Sequence, residues 1–245
     1  MPKAITRCFA LFAAIAIASI VTPSSAQTVY GQGGLFLHPS ALVRPAGSVN
    51  FGVSYYTQNN SPKPDSEWNP FSLAYGASTQ LEVGLTAIHH RAPALGEFWN
   101  AGPFARFQLW PDSPTRPAVG FAASNIPNEF RQTTISGVVS HQFGSSPAGG
   151  ITLHTGVEWV RTSGNTGHQS DAAGFIGIQI PVARNLGLIG ETSTKLKFER
   201  THASAAGLIW TPPGGFSLAV GWVNNGRSNS NEFFVGAGYP IGGAK

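Results

Sequence analysis

Apolar and polar residues alternate along most of this chain in segments of about ten residues, the length of a strand that crosses a membrane. Residues 48–58 show this clearly, with apolar side chains at 49, 51, 53 and 55 and mostly smaller or more polar ones between them. Successive side chains of a β-strand point to opposite faces, so each segment predicts a strand with one apolar face. The pattern predicts an all-β protein.

The joints between the segments alternate between short turns and longer polar stretches. Bacterial transmembrane barrels have an even number of strands, short periplasmic turns and long outer loops. We therefore predict an antiparallel transmembrane β-barrel of about twelve strands, with short periplasmic turns and long outer loops. The predicted strands are residues 48–58, 70–77, 80–88, 100–110, 118–124, 133–143, 150–160, 173–180, 186–194, 203–210, 216–223 and 232–239.

The chain begins with a leader that has the pattern of a cleavable signal peptide. Lys3 and Arg7 are followed by an apolar stretch at 9–21, which is too short to span a bilayer as a helix. Small residues at 24–26 are suitable for cleavage before Gln27. Export of a barrel of this kind predicts an integral protein in the outer membrane of a Gram-negative bacterium.

Three regions follow from these boundaries. We predict a cleaved signal peptide, a periplasmic lead-in segment or short plug in the barrel mouth, and the outer-membrane β-barrel itself. Their ranges are 1–26, 27–47 and 48–245.

Composition agrees with a membrane barrel. Charged residues make up 11% of the chain, against about a quarter in ordinary soluble domains. The one cysteine is Cys8 in the leader, so the mature chain has no disulfide and no cysteine-ligated metal. The net charge of +4 falls to +2 without Lys3 and Arg7, since 13 basic and 11 acidic residues remain. This small excess does not indicate a nucleic-acid partner.

The tryptophans are placed as in an aromatic girdle at the two membrane interfaces. Four are predicted at outer strand ends and two at inner ends. They are Trp68, Trp99, Trp159 and Trp222, and then Trp110 and Trp210.

A set of charged residues falls on the predicted inner faces of the strands, where it would line the lumen. Two interpretations stay open: these residues form ion pairs across a narrow lumen, or they select a permeating solute. The favoured function is passive passage or binding of a small solute through a narrow polar lumen, and the alternative is a structural envelope-assembly barrel. The residues are Glu82, Arg106, His154, Glu158 and Glu191.

A second alternative is a lipid hydrolase at the outer rim. His168 lies two residues before Ser170, which resembles the base and nucleophile of outer-membrane phospholipase A and of lipid A deacylase. Those families usually have Asn after the Ser, where this chain has Asp171, and an orienting Asn or Glu downstream, where it has Val182. The favoured interpretation of 161–171 is a polar outer loop without enzymatic activity.

The predicted outer loops are rich in basic residues, including Lys195, Lys197 and Arg200. The expected partners are membrane lipid, the phosphate groups of lipopolysaccharide and a small solute. His89 and His90 are too isolated to predict a metal site. No cofactor is predicted.

The last part of the chain resembles Gram-negative outer-membrane barrels of a transporter-like group, the MetA-like barrels of phenol-degradation pathways. The matching stretches are LGLIGETSTK, AGLIWTPPGGFSLAVGWVNN and EFFVGAGYPI, with hallmark residues at 190–191, 207–212, 218–221 and 233–238. Residues 34–56 are similar to the first strand of YjbH-like exopolysaccharide-associated barrels. The resemblance implies an outer-membrane barrel with an inward Glu191.

Overall fold

The computed structural model describes residues 35–58, 66–92, 96–127, 131–144, 150–164, 167–213, 216–224, 226 and 232–241. The predicted signal peptide lies outside the described residues. Twelve strands occur in the described part of the chain: β1 (Val49–Gln58), β2 (Ser66–Gly76), β3 (Leu81–Ala92), β4 (Gly96–Trp110), β5 (Ala118–Pro127), β6 (Arg131–Phe143), β7 (Ile151–Gly164), β8 (Gly167–Ala183), β9 (Leu186–Ser193), β10 (Ser204–Trp210), β11 (Ser217–Asn224) and β12 (Glu232–Ile241).

The strands form one closed antiparallel barrel, as predicted. Each strand pairs with its neighbours in sequence, and β1 pairs with β12 from Val49 opposite Ile241 to Tyr56 opposite Phe234. Closure leaves no unpaired strand edge. Within the described ranges, the chain contains no helix with the length and apolar character needed to cross a membrane.

We call the end of the barrel where β1 begins and β12 ends the terminal end, and the opposite end the loop end. At the loop end several strands extend beyond their predicted bounds into regions predicted as loops. β3 ends at Ala92 and β4 begins at Gly96, while β7 and β8 meet in a hairpin in which Gly164 pairs with Gly167. Strand pairing accommodates these polar stretches because alternate side chains still point outward or inward.

The outer surface of the barrel is apolar. Leu85, Phe121 and Val157 are 59%, 53% and 60% exposed, although large apolar side chains are normally withdrawn from water. A continuous apolar belt of this kind is suited to a lipid environment. Five of the six tryptophans also lie on this face, namely Trp99, Trp110, Trp159, Trp210 and Trp222. Trp68 was predicted in the same girdle, but its side chain points inward and is buried.

Residues 35–47, which we call the internal segment, lie inside the barrel. Leu35 and Phe36 have no exposed surface and pack in a cluster with inward side chains of several strands, such as Ile189 on β9 and Phe234 on β12. A Cβ atom at position 177 would overlap with Cδ1 of Leu35, so the glycine on β8 provides the space for this side chain.

The internal segment joins β1 at the terminal end of the barrel. There Gly47 N–H donates to the carbonyl of Gly76 over 2.7 Å, and Gly76 N–H donates to the carbonyl of Ser48 over 2.9 Å. A Cβ at position 76 would overlap with the carbonyl oxygen of Pro45. The chain can therefore leave the lumen here because β2 ends in a glycine.

Candidate functional site

All five predicted lumen residues lie on the inner face of the barrel, and four of them are almost fully buried. Glu82 is on β3, Arg106 on β4, His154 and Glu158 on β7, and Glu191 on β9. The structure brings them together around the internal segment, which sequence reasoning did not link to them. Each contacts this segment directly or through one intervening side chain.

Glu191 binds two backbone groups and one side chain of the internal segment. Leu37 N–H donates to Oε1 over 2.7 Å, and His38 N–H donates to Oε2 over 3.1 Å. Nδ1 of His38 lies 2.8 Å from the same Oε2. A carboxylate with three partners offsets much of the cost of its burial.

The imidazole of His38 lies between two carboxylates and against an aromatic ring. Its Nε2 is 3.6 Å from Oε1 of Glu158. Its ring stacks on Phe175 of β8, with centroids 4.5 Å apart and planes inclined by 11°. Burial by itself would lower the pKa of His38, but the hydrogen bonds and charges of Glu158 and Glu191 outweigh it and raise the pKa to about 10. His38 is therefore a cation at neutral pH.

Nearer the terminal end, Glu82 is shared by two arginines. Nε of Arg106 donates to Oε1 of Glu82 over 3.1 Å, and Nη2 of Arg106 also bonds to this carboxylate. Nη1 of Arg106 donates to the carbonyl of Leu42 over 2.7 Å and to Oγ of Ser40 over 3.2 Å. Nε of Arg44 lies 3.4 Å from Oε2 of Glu82. Wall and segment are thus joined by a buried network with one excess positive charge.

His154 reaches the internal segment through Ser140 of β6. Ala41 N–H donates to Oγ of Ser140 over 2.9 Å, and the same Oγ lies 2.8 Å from Nδ1 of His154. These contacts complete a row of polar anchors along the segment from Leu37 to Arg44.

Aromatic side chains line the interior towards the loop end. Tyr56 of β1 stacks on Trp68 of β2, with centroids 5.7 Å apart and planes inclined by 8°. The ring centroids of Trp68 and His90 of β3 are 4.0 Å apart, and those of His90 and Phe98 of β4 are 4.5 Å apart. His90 was predicted in an outer loop, but it is buried inside the barrel. The interior therefore has a charged part around the segment and an aromatic part beyond it.

The candidate rim dyad lies near the loop end of the barrel, where β8 pairs with β7. His168 and Ser170 lie on β8 instead of in a loop, and both are exposed. Nδ1 of His168 is 2.7 Å from Oγ of Ser163 on β7. Asp171 accepts the backbone N–H of Lys197 over 2.8 Å.

The described ranges contain no group of three or more His, Cys, Asp or Glu side chains arranged to hold a metal ion.

Comparisons with known proteins inform the fold. No family model matches the chain, and no curated protein matches it. Among solved structures, the COG4313 outer membrane channel from Pseudomonas putida F1 is similar over 82% of this chain and 98% of that one, with 10% identity and a TM-score of 0.54. The chain shares the closed antiparallel β-barrel fold of that protein. The Ralstonia pickettii toluene transporter TbuX matches over 89% of this chain and 94% of that one, with 11% identity and a TM-score of 0.43.

Sequence reasoning missed the partners that the internal segment supplies to the charged residues of the barrel wall. His38 and Arg44 lie in a stretch broken by Gly and Pro, where no strand or helix periodicity indicates a direction for either side chain. Phe175 had a usable signal, because on β8 it is two residues from Gly177 and therefore shares its inward face.

Proposed function

We propose that this protein is an integral outer-membrane channel of a Gram-negative bacterium, through which a small solute passes passively, and that the internal segment is its plug. In this proposal the segment must shift before solute passes. The terminal end faces the periplasm and the loop end faces the lipopolysaccharide.

One observation carries the proposal: charged side chains on four strands of the wall converge on the internal segment. Glu191 and Glu158 engage His38, while Glu82 and Arg106 engage residues 40–44. Side chains alone fill barrels of about 8 strands, whereas barrels of about 16–18 strands leave a water channel, and a twelve-stranded wall lies between these cases. Here the wall instead has glycine at position 177, and a separate piece of chain takes that space. A removable occupant is consistent with a lumen that serves for passage.

The seating of the segment also leaves polar groups poorly satisfied. Nη2 of Arg44 is buried and forms no hydrogen bond with any described residue, while Nε has only its 3.4 Å ion-pair contact with Oε2 of Glu82. A buried donor without a partner typically costs about 1–3 kcal/mol, more when it is charged. This cost lowers the free energy needed to unseat the segment, which favours a movable plug over a permanent filling.

The outer surface of the barrel and its likeness to one solved structure support the same proposal. The apolar outer belt fits membrane lipid, and Lys197 at the loop end has an 85% exposed side chain that can meet lipid phosphate. The solved structure with a TM-score of 0.54 is described as an outer membrane channel.

Single-channel recording in planar bilayers tests the proposal. The mature protein without its leader has no cysteine, so a disulfide can be placed between segment and wall. Ala41→Cys with Ser140→Cys joins positions whose backbone N and Oγ are 2.9 Å apart. We expect the oxidised double variant to conduct less than the reduced one, and Glu191→Gln to be open for a larger fraction of time than the wild type.

The single variants Ala41→Cys and Ser140→Cys control for the substitutions themselves. Glu97→Gln controls for the loss of a carboxylate, because Glu97 pairs with Arg91 at the exposed rim. Absence of conductance in every variant, including Glu191→Gln, would contradict the channel function and favour the structural envelope-assembly barrel.

A further inference from the structure

The wall around His38 has the features of a small-molecule binding site. Glu158, Phe175 and Glu191 come from three neighbouring strands, β7, β8 and β9, and all three point into the lumen. His38 belongs to the internal segment, so in the proposed open state its place is vacated while these three side chains remain on the wall.

The geometry points to a binding site, made by Glu158, Phe175 and Glu191, for a planar nitrogen heteroaromatic cation that passes through the lumen, with His38 as its internal mimic. This inference rests on the proposed function, since a solute reaches the site when the segment shifts.

Each part of the site selects one property of such a ligand. The Phe175 ring lies nearly parallel to the imidazole, with an inclination of 11°, and therefore favours a flat ring. The carboxylates lie near opposite ring nitrogens, at 2.8 Å for Glu191 and 3.6 Å for Glu158. Two carboxylates that are buried close together need a cation or N–H donors to offset their desolvation and mutual repulsion.

Small residues shape the wall around the aromatic platform. A Cβ at position 156 would lie 2.7 Å from Cζ of Phe175, so the glycine on β7 lets this ring lie against the wall. Gly177 faces the lumen beside Glu191, whose Cβ would be 3.1 Å from a Cβ at position 177. The platform is thereby set back from the lumen axis, which leaves the depth that a ring stacked on it needs.

Other ligand classes use this site less completely. A neutral aromatic molecule would stack on Phe175 but would leave both carboxylates uncompensated. A small ammonium ion would balance charge but would not use the ring. The planar heteroaromatic cation satisfies all three side chains at once.

Replacement of the internal mimic tests the site directly in the full-length mature chain. His38→Ala removes the imidazole but keeps the backbone N–H groups of Leu37 and His38 that bind Glu191. We expect this variant to melt at a lower temperature than the wild type, and millimolar imidazole to restore at least half of the loss. Calorimetric titration of imidazole into the same variant should show saturable binding.

Two controls separate the contributions of ring and charge. Phenol supplies a ring without a positive charge, and ammonium supplies a charge without a ring, so neither should reproduce the effect of imidazole. Adding Glu191→Gln to His38→Ala should weaken imidazole binding about tenfold or more, as loss of one partner of a buried charge pair predicts. His38→Gly provides a second background with a larger space should His38→Ala fold poorly.

The outcomes distinguish this inference from the channel itself. Equal recovery with phenol or ammonium, or imidazole binding that is indifferent to Glu191, would overturn the heteroaromatic-cation site. The binding measurements do not depend on conductance. A barrel that conducts but does not bind imidazole would therefore contradict the binding site alone. A barrel that shows no conductance but binds imidazole would contradict the channel function and would keep the imidazole site as a ligand-binding site of the barrel.

Discussion

Leu35 of the internal segment occupies the space that a side chain at position 177 of β8 would need. A Cβ there would overlap with Cδ1 of Leu35, so the Leu35 side chain could not keep its observed position if residue 177 were larger than glycine. This relationship links one residue of the wall to the state of the lumen.

Gly177→Val should unseat the first part of the internal segment. We expect higher open probability in planar bilayers and faster proteolysis of residues 35–47, since the valine side chain and Leu35 cannot share the same space. Gly174→Ala on the same strand is the matched control, because its nearest neighbour would be 3.8 Å away. Equal behaviour of the two variants would show that the segment is held independently of Leu35.

Glu191→Ala should destabilise the protein strongly. The substitution leaves two backbone N–H groups and the His38 imidazole without their shared acceptor, and breaking a buried pair in this way costs about 3–5 kcal/mol. Denaturant unfolding in lipid vesicles measures the change. Glu97→Gln at the exposed rim should change the free energy of unfolding by about 1 kcal/mol or less. A loss of similar size in both variants would contradict the role assigned to Glu191.

Alkaline pH should release the segment. The pKa of His38 is raised from 6.5 to about 10 in the folded state, so protonation favours the seated segment. The contribution of His38 is complete below pH 6.5 and is lost as the pH rises through about 10. We expect open probability to increase across this interval. His38→Gln should lack this alkaline transition, and its persistence in that variant would assign it to another group.

Cysteine labelling on intact cells should report the orientation. Lys197→Cys lies at the loop end, where the lysine side chain is 85% exposed, and should react with a membrane-impermeant maleimide. Arg184→Cys, in the exposed turn between β8 and β9 at the terminal end, should react only after the outer membrane is permeabilised. The reverse pattern would invert the barrel in the membrane.

The strand pattern could be predicted from sequence because lipid and lumen impose opposite demands on alternate residues. The inward placement of Glu82 and Arg106 follows from this alternation alone. Trp68 and His90 were misplaced because their surroundings, rich in Asn, Pro and charged residues, have the composition of loops, whereas the structure continues β2 and β3 through them. Strand ends are set by pairing with the neighbour, which local composition does not encode.

The packing of the internal segment could not be predicted, because its partners are distant in sequence. His38 N–H and its acceptor Glu191 are 153 positions apart, and Arg44 N–H and Glu82 are 38 apart. No periodicity in residues 35–47 indicates which wall residues they meet. The charged lumen residues were identifiable, but the cationic partner of Glu158 and Glu191 was not.

The position of the internal segment also constrains how the barrel assembles. The segment precedes β1, and the seam between β1 and β12 joins the first strand to the last. Because the chain is synthesised from its N-terminus, the internal segment exists before β12, the strand that closes the wall. The contacts of His38 with β7 and β9 can therefore form while this seam is still open. In that order of events the segment would act as a template around which the barrel is completed, and changes at His38 should slow insertion as well as alter the finished lumen.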